Sequence, residues 1–230
     1  MTRRDEIAAG LVAVRGRIDA AAAAVGRHPE EITLVVVTKF FPVSDIEHLK
    51  ALGVVDVGEN RHQEAAAKAA QIEGVRWHFI GGLQSNKAAA VAAYADVVHS
   101  VDRVKVAHAL ARGADQHDRH VEVLLQVSLD PPDRAGRAGA AAAELPALAA
   151  VIDDASHLHL RGLMAVAPLD EDPVEAFARL SGIRAEFCAR HPQATWLSAG
   201  MSGDLEAAVA AGATHVRVGS AILGSRPTVP

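Results

Sequence analysis

Cysteine is nearly missing from this sequence. The lone Cys188 rules out a disulfide within the chain and any cysteine-rich zinc or iron–sulfur centre. It falls in the helix-like run AFARLSGIRAEFCAR, where a buried, inert thiol is expected. Aromatic residues make up 3% of the chain against 50% hydrophobic, so the core has to come mainly from Ala, Val, Leu and Ile. Tyr94 is the single tyrosine, which limits any chemistry that needs a phenol. No stretch reaches the roughly 18 uncharged apolar residues of a membrane span. The start, MTRRDEIAAGLVAVRGRIDAAAAAVG, reads as an amphipathic helix rather than a signal peptide. An excess of basic charge is lacking too: 23 Lys and Arg stand against 28 Asp and Glu, a formal charge of −5, where a nucleic-acid grip needs clustered cations. The expectation is a cytoplasmic protein with neither membrane nor nucleic acid as partner. With 230 residues, a single domain over 1–230 can bury roughly 70% of its unfolded surface without a metal.

What is present is alternation. Short β-branched runs exchange with longer Ala-rich segments of helical spacing, the pattern of repeated β–α units. The strands fall at 32–39, 54–58, 76–81, 96–100, 121–129, 158–166, 195–200 and 215–219. Helices between them are expected to be capped by Ser44-Asp45, Asp102 and Asp172-Pro173, with Gly53 and Gly212 as stops. The alanine runs at 20–24 and 140–143 read as ordinary helix. The stretch 129–146 reads as a long loop leading into a helix. Eight strands with intervening helices in a chain this short predict one closed (β/α)8 TIM barrel rather than an open doubly wound sheet.

The active face of such a barrel is made by strand C-termini and the loops after them. Lys39 ends the apolar run LVVVT there and is followed by two phenylalanines and a proline. Partial desolvation disfavours an ammonium and frees the amine to attack a carbonyl, forming a Schiff base. A lysine that snorkels to the rim and does nothing is the alternative, and position alone leaves the two even. At the last two strands, GMSGD (200–204) and RVGSAILG (217–224) each turn from strand to helix through glycine and serine. Glycines, hydroxyls and a helix N-terminus together make an anion cradle suited to a phosphate. Arg217 shares a face with His215 and Gly219. An inward arginine in a barrel is costly unless it meets an acceptor, and a structural salt bridge is the alternative reading.

These residues resemble a known family. VVVTKF (35–40), GENR (58–61), WHFIGGLQSNK (77–87), HSVDR (99–103), RGLMAV (161–166), LSAGMSGD (197–204) and VRVGSAILG (216–224) are similar, in order and over nearly the whole chain, to the pyridoxal phosphate homeostasis proteins, relatives of the alanine racemase N-terminal barrel. The resemblance implies that Lys39 holds pyridoxal 5′-phosphate as a Schiff base and that Ser202, Gly219 and Ser220 hold its phosphate, with Met201 beside them. It implies Arg217 opposite the pyridine nitrogen and Asn60 near the ring. The family's Lys-x-Gly step is replaced by Arg134-Ala135-Gly136 or Arg137-Ala138-Gly139.

A permanently cationic arginine at the pyridine nitrogen weakens the ring as an electron sink. Racemases of this barrel type also use a tyrosine from a second domain, and Tyr94 lies in the helical run AAAVAAYAD, where packing is the expected role. The expectation is therefore a non-catalytic carrier that stores or delivers the cofactor, with apoenzymes as partners and a monomer favoured. An amino-acid racemase is the alternative, and a Schiff-base aldolase acting on a sugar phosphate is a third reading.

Twelve histidines raise the possibility of a metal, above all His157 with His159 and His117 with His120. Neither pair has a third ligand at a recognisable spacing, and solvated or capping histidines are expected. Glu59 is either a general base or, preferably, an ion-pair partner of Arg61 or Lys87. Gln84, Asn86 and Lys87 are expected to shape the rim, with Asn86 as a helix cap.

Overall fold

A computed structural model describes residues 1–130 and 138–225. The alternating pattern forms eight parallel strands among these residues: β1 (Thr33–Val37), β2 (Asp56–Glu59), β3 (Arg76–Phe79), β4 (Val97–Val101), β5 (Val121–Gln126), β6 (Leu158–Met164), β7 (Trp196–Ser198) and β8 (His215–Val218). They pair in sequence order and close, β1 lying beside β8 with Val35 opposite Arg217. The expected (β/α)8 barrel is the fold.

Around it run α1 (Arg3–Ala24), which precedes the barrel, and α2 (Val43–Ala51), α3 (His62–Ala69), α4 (Ser85–Ala92), α5 (Val104–Gln116), α6 (Leu145–Asp153), α7 (Pro173–Arg190), α8 (Leu205–Ala210) and α9 (Ser220–Leu223). Outward strand residues such as Val36, Val57, Val216 and Val218 meet Ile7, Leu11, Ile46 and Leu49 in the layer between barrel and helices. A second apolar layer joins Val98, Val123 and Leu163 to Leu110, Leu148 and Phe177. Small side chains make these contacts close: a Cβ on Gly113 of α5 would lie 2.3 Å from the Cα of Ala89 on α4. Among the described residues no helix is long and apolar enough to cross a membrane.

Helix ends depart from expectation where tertiary partners claim the capping side chains. Asp172 does cap α7, its carboxylate accepting from Val174 N–H at 2.9 Å, with Pro173 in the first turn. Gly53 follows α2 at φ +79°, a left-handed conformation that suits glycine. In contrast, α2 starts at Val43 after Pro42, and Asp45 is buried against Arg3 at 2.5 Å instead of capping. Asp102 stands one residue outside the cap position of α5, pairing with Arg103 at 3.1 Å and accepting from Gly139 N–H at 3.3 Å. Asn86 is inside α4, whose cap residue is Gln84. Residues 20–24 are helical within α1, but Ala140 pairs with Val127 as an isolated β-bridge, exchanging hydrogen bonds with Gln126 and Ser128. That backbone pairing outweighs alanine's helical preference. Arg134 and Arg137 lie outside the described residues.

Candidate functional site: a lysine cavity above a polar barrel axis

The strand periodicity of two decides which residues point inward. On β8 these are His215 and Arg217, while Val216 and Val218 face the helices. The first strand stops at Val37, so Lys39 lies just beyond it, on a turn at the C-terminal mouth. Phe40, next to it, takes φ +71°, a region few residues other than glycine enter.

A cavity of about 230 Å³ opens there, lined by Val37, Lys39, Phe40, Phe41 and Ile80 on one side and by Met201, Ser202, Arg217, Gly219, Ser220 and Gly224 on the other. Six of the seven residues expected at a cofactor are thus brought together. The seventh, Asn60, does not line the cavity; it follows β2 with its backbone against Gly81, where an added Cβ would fall 2.1 Å from the Asn60 carbonyl oxygen. Ile80 was not foreseen, although its place two residues after the inward His78 would have identified it.

Both glycine-serine turns are built as their sequences suggested. Gly200 at φ +92° packs so tightly that a Cβ would meet the Ala208 Cβ at 2.6 Å. The turn after it is closed by Asp204, whose N–H donates to Met201 carbonyl at 3.3 Å while its carboxylate accepts Met201 N–H at 2.5 Å. Met201 therefore offers the cavity its side chain and not its amide. At the other turn, Gly219 lets the chain pass Val37, whose carbonyl oxygen would be 3.0 Å from a Cβ. Ser220 and Ala221 open α9 ahead of its first turn bond, Ile222 N–H to Gly219 carbonyl at 2.9 Å, so their amides have the donor role of a helix start. An amine, two hydroxyls, helix-start amides and a guanidinium between apolar walls suit a flat ring bearing a carbonyl and a phosphate.

Below the cavity the barrel axis is polar where Val, Ile and Leu usually dominate. Arg217, 5% exposed, donates to Ser198 Oγ at 2.6 Å and to the Ala165 carbonyl at 3.0 Å. Burial pulls its guanidinium down to about 10, which leaves it cationic at neutral pH. Ser198 Oγ is 2.9 Å from His99 Nδ1, His99 Nε2 is 2.8 Å from His78 Nδ1, and His78 Nε2 is 2.8 Å from Asp56. Burial holds His78 below the usual imidazole range and His99 well below it; His215 falls to about 3, from burial first and from His78 second. Burial pushes Asp56 up, but the hydrogen bond from His78 and the nearby Arg76 charge more than offset it, and its carboxyl sits below the ordinary value.

These states fix every proton in the chain. An ionised Asp56 only accepts, so the neutral His78 carries its proton on Nε2 and accepts at Nδ1. His99 then donates from Nε2 and accepts at Nδ1 from the Ser198 hydroxyl, whose oxygen accepts from Arg217. The chain thus runs in one direction from a cation at the cavity floor to a carboxylate near the opposite mouth, crossing five strands.

The expected partner of Glu59 is corrected. Glu59 faces outward from β2 and pairs with Lys68 of α3 at 2.7 Å, not with Arg61 or Lys87. Burial raises its carboxyl above the ordinary value against the opposing Lys68 and Thr38 hydrogen bonds. Tyr94 packs between the two apolar layers and against His62, outside the cavity, with its phenol pushed up by burial. His120 stands between His157 and His159, with ring centroids 5.0 and 5.1 Å away, and His157 binds Asp118 at 3.2 Å. Among the described residues no group of three His, Cys, Asp or Glu could hold a metal.

Fold and mouth together define a class: barrels of the alanine racemase N-terminal type, whose family model, "Alanine racemase, N-terminal domain", matches residues 11–227. Within it, the pyridoxal phosphate homeostasis protein of Corynebacterium glutamicum is 44% identical over 225 residues, covering 93% of this chain and 99% of that one. The protein of the same description from Mycobacterium bovis is 42% identical over 243 residues, covering 97% and 94%. The solved structure of PipY from Synechococcus elongatus with pyridoxal phosphate bound superposes with a TM-score of 0.78 at 36% identity, covering 90% of this chain and 100% of that one. The chain belongs to the pyridoxal phosphate homeostasis proteins.

Proposed function

We propose that this protein binds pyridoxal 5′-phosphate covalently through Lys39 and serves intracellular homeostasis of that cofactor, storing it and delivering it to apoenzymes, without catalysis of its own. Residues 1–230 act in this reading as one binding unit. The observation that carries it is the convergence of Lys39, two glycine-serine turns and Arg217 on one cavity of about 230 Å³. The relatives described as pyridoxal phosphate homeostasis proteins, and PipY with the cofactor bound, support it.

When bound, the cofactor supplies an aldehyde that condenses with an amine. This chain supplies the amine of Lys39 between apolar walls that limit water. Ser202 and Ser220, with the first amides of α9, take the phosphate. Arg217, anchored below by Ser198 and the Ala165 carbonyl, keeps its own proton and offers a ring nitrogen a hydrogen bond. Histidine, tyrosine and cysteine are absent among the described residues lining the cavity, so no imidazole, phenol or thiol there faces Lys39 as a second base. That favours holding over racemising.

Borohydride treatment of the purified protein is expected to fix the cofactor irreversibly on the peptide containing Lys39, with loss of visible absorbance. A Lys39→Ala variant that kept the same absorbance would overturn the assignment. Deuterium uptake at Cα of L-alanine or L-serine, catalysed by the loaded protein, would replace the carrier reading with the racemase.

A further inference from the structure

The turn that carries Lys39 is held from behind the barrel wall. Lys68 of α3 is 5% exposed, and its ammonium spends all three donors at once: 2.9 Å to the Thr38 carbonyl, 2.7 Å to Glu59 Oε1 and 2.6 Å to Glu64 Oε1. The Thr38 hydroxyl donates to the same Glu59 oxygen at 2.7 Å. Glu64 Oε1 also accepts the N–H of Phe40 at 2.5 Å. The peptide group before Lys39 and the peptide group after it therefore both end on one ammonium–carboxylate cluster, supplied by the β2–α3 segment.

Two facts show that this cluster does more than join a helix to a strand. Phe40 takes φ +71°, with the Arg61 guanidinium 4.9 Å from its ring centroid. Backbone in that region persists for a bulky residue only when its surroundings over-determine it. In addition, packed apolar residues hold a buried interface as well as a buried ion cluster does. What they cannot supply is a directional acceptor for Phe40 N–H and a donor for Thr38 carbonyl. Those two bonds define the plane of each peptide beside Lys39 and so the direction in which its side chain leaves the backbone.

We infer that Lys68, Glu64 and Glu59 are positioning residues that fix the backbone of Lys39 so that its amine enters the cavity. The inference rests on the reading of Lys39 as the covalent anchor. Positional error of about 1 Å at a reacting group costs up to roughly a hundredfold in rate. Losing the clamp is therefore expected to slow covalent fixation on Lys39 by about ten- to hundredfold.

The test compares wild-type protein with Glu64→Ala, Glu64→Gln and the charge-balanced double variant Glu59→Gln/Lys68→Met. Pyridoxal phosphate is added, borohydride is applied at timed intervals, and the labelled peptide is quantified; the pH profile of the bound cofactor's absorbance is recorded, with thermal unfolding as a check on folding. Glu64→Ala and the double variant are expected to label Lys39 slowly and with a shifted pH profile. Glu64→Gln retains an acceptor for Phe40 N–H and is expected to recover most of the rate, which a general loss of helix stability would not reproduce. If the double variant fails to fold, the Glu64 pair decides, since that side chain is 23% exposed. Folded Glu64→Ala protein that labels Lys39 at the wild-type rate with an unchanged profile overturns the positioning role alone. Wild-type protein labelled at another lysine overturns the functional reading instead.

Discussion

Acid should unfold this protein earlier than its carboxylates require, because three histidines are enclosed in the barrel as neutral rings. His78 and His215 are 1% and 3% exposed, and His99 is fully buried. Their folded pKa values lie below the unfolded value of about 6.5, His215 at about 3. A depressed pKa means the unfolded chain binds the proton first. Stability is therefore complete above pH about 6.5 and declines as pH falls toward the folded values. Between pH 7 and pH 5, each ring that stays neutral costs about 2 kcal/mol, so one to three of them give about 2–6 kcal/mol. Glu59 works in the opposite direction, since its raised pKa lets the folded state take up a proton earlier. Against a total stability of about 5–15 kcal/mol the loss is large. Urea unfolding at pH 7, 6 and 5 measures it as a falling midpoint at constant slope m. His215→Leu should remove one proton from the dependence, lowering its limiting steepness by about 1.4 kcal/mol per pH unit. A midpoint that does not move down to pH 5 would refute the neutral, buried histidine column.

Nitrogen-15 NMR of the histidines should show His78 and His99 both protonated on Nε2 from pH 6 to 8; an Nδ1–H form of either breaks the proton order derived from Asp56. Asp56→Ala removes the acceptor of His78 Nε2–H and should cost about 1–3 kcal/mol in urea unfolding. Gly10→Ala drives a Cβ to 2.6 Å from the Ile222 carbonyl oxygen of α9. Overpacking of this kind costs about 1–3 kcal/mol. Because α9 carries Ser220 of the cavity, equilibrium dialysis should also show weaker retention of pyridoxal phosphate than in wild type.

Much of the fold is legible in the chain because each β–α unit announces itself locally. Runs such as LVVVT and VEVLLQ alternate with helical spacing, and the observed strands lie within or one residue beyond the expected spans. The cavity residues are legible for the same reason: Lys39, Ser202, Arg217, Gly219 and Ser220 each follow or close a strand, where a barrel puts its mouth. Helix starts were less legible. Asp45 and Asp102 have the chemistry of caps, but Arg3 and Gly139, distant in sequence, take their carboxylates. Glu59 shows the same limit, since β2 alternation turns it outward to Lys68 of α3 and not to Arg61 or Lys87.

The sequence by itself determined the barrel, the lysine at its mouth and the two glycine-serine turns, because periodicity, glycine placement and strand ends are properties of short segments. Only the closed barrel decided what lies behind them. Ser198 meets His99 across 99 residues, and Lys68 reaches Thr38 across 30. Such contacts depend on strand register and on which inward side chains share a level of the axis. No local pattern encodes that level; it follows from closure of β8 onto β1.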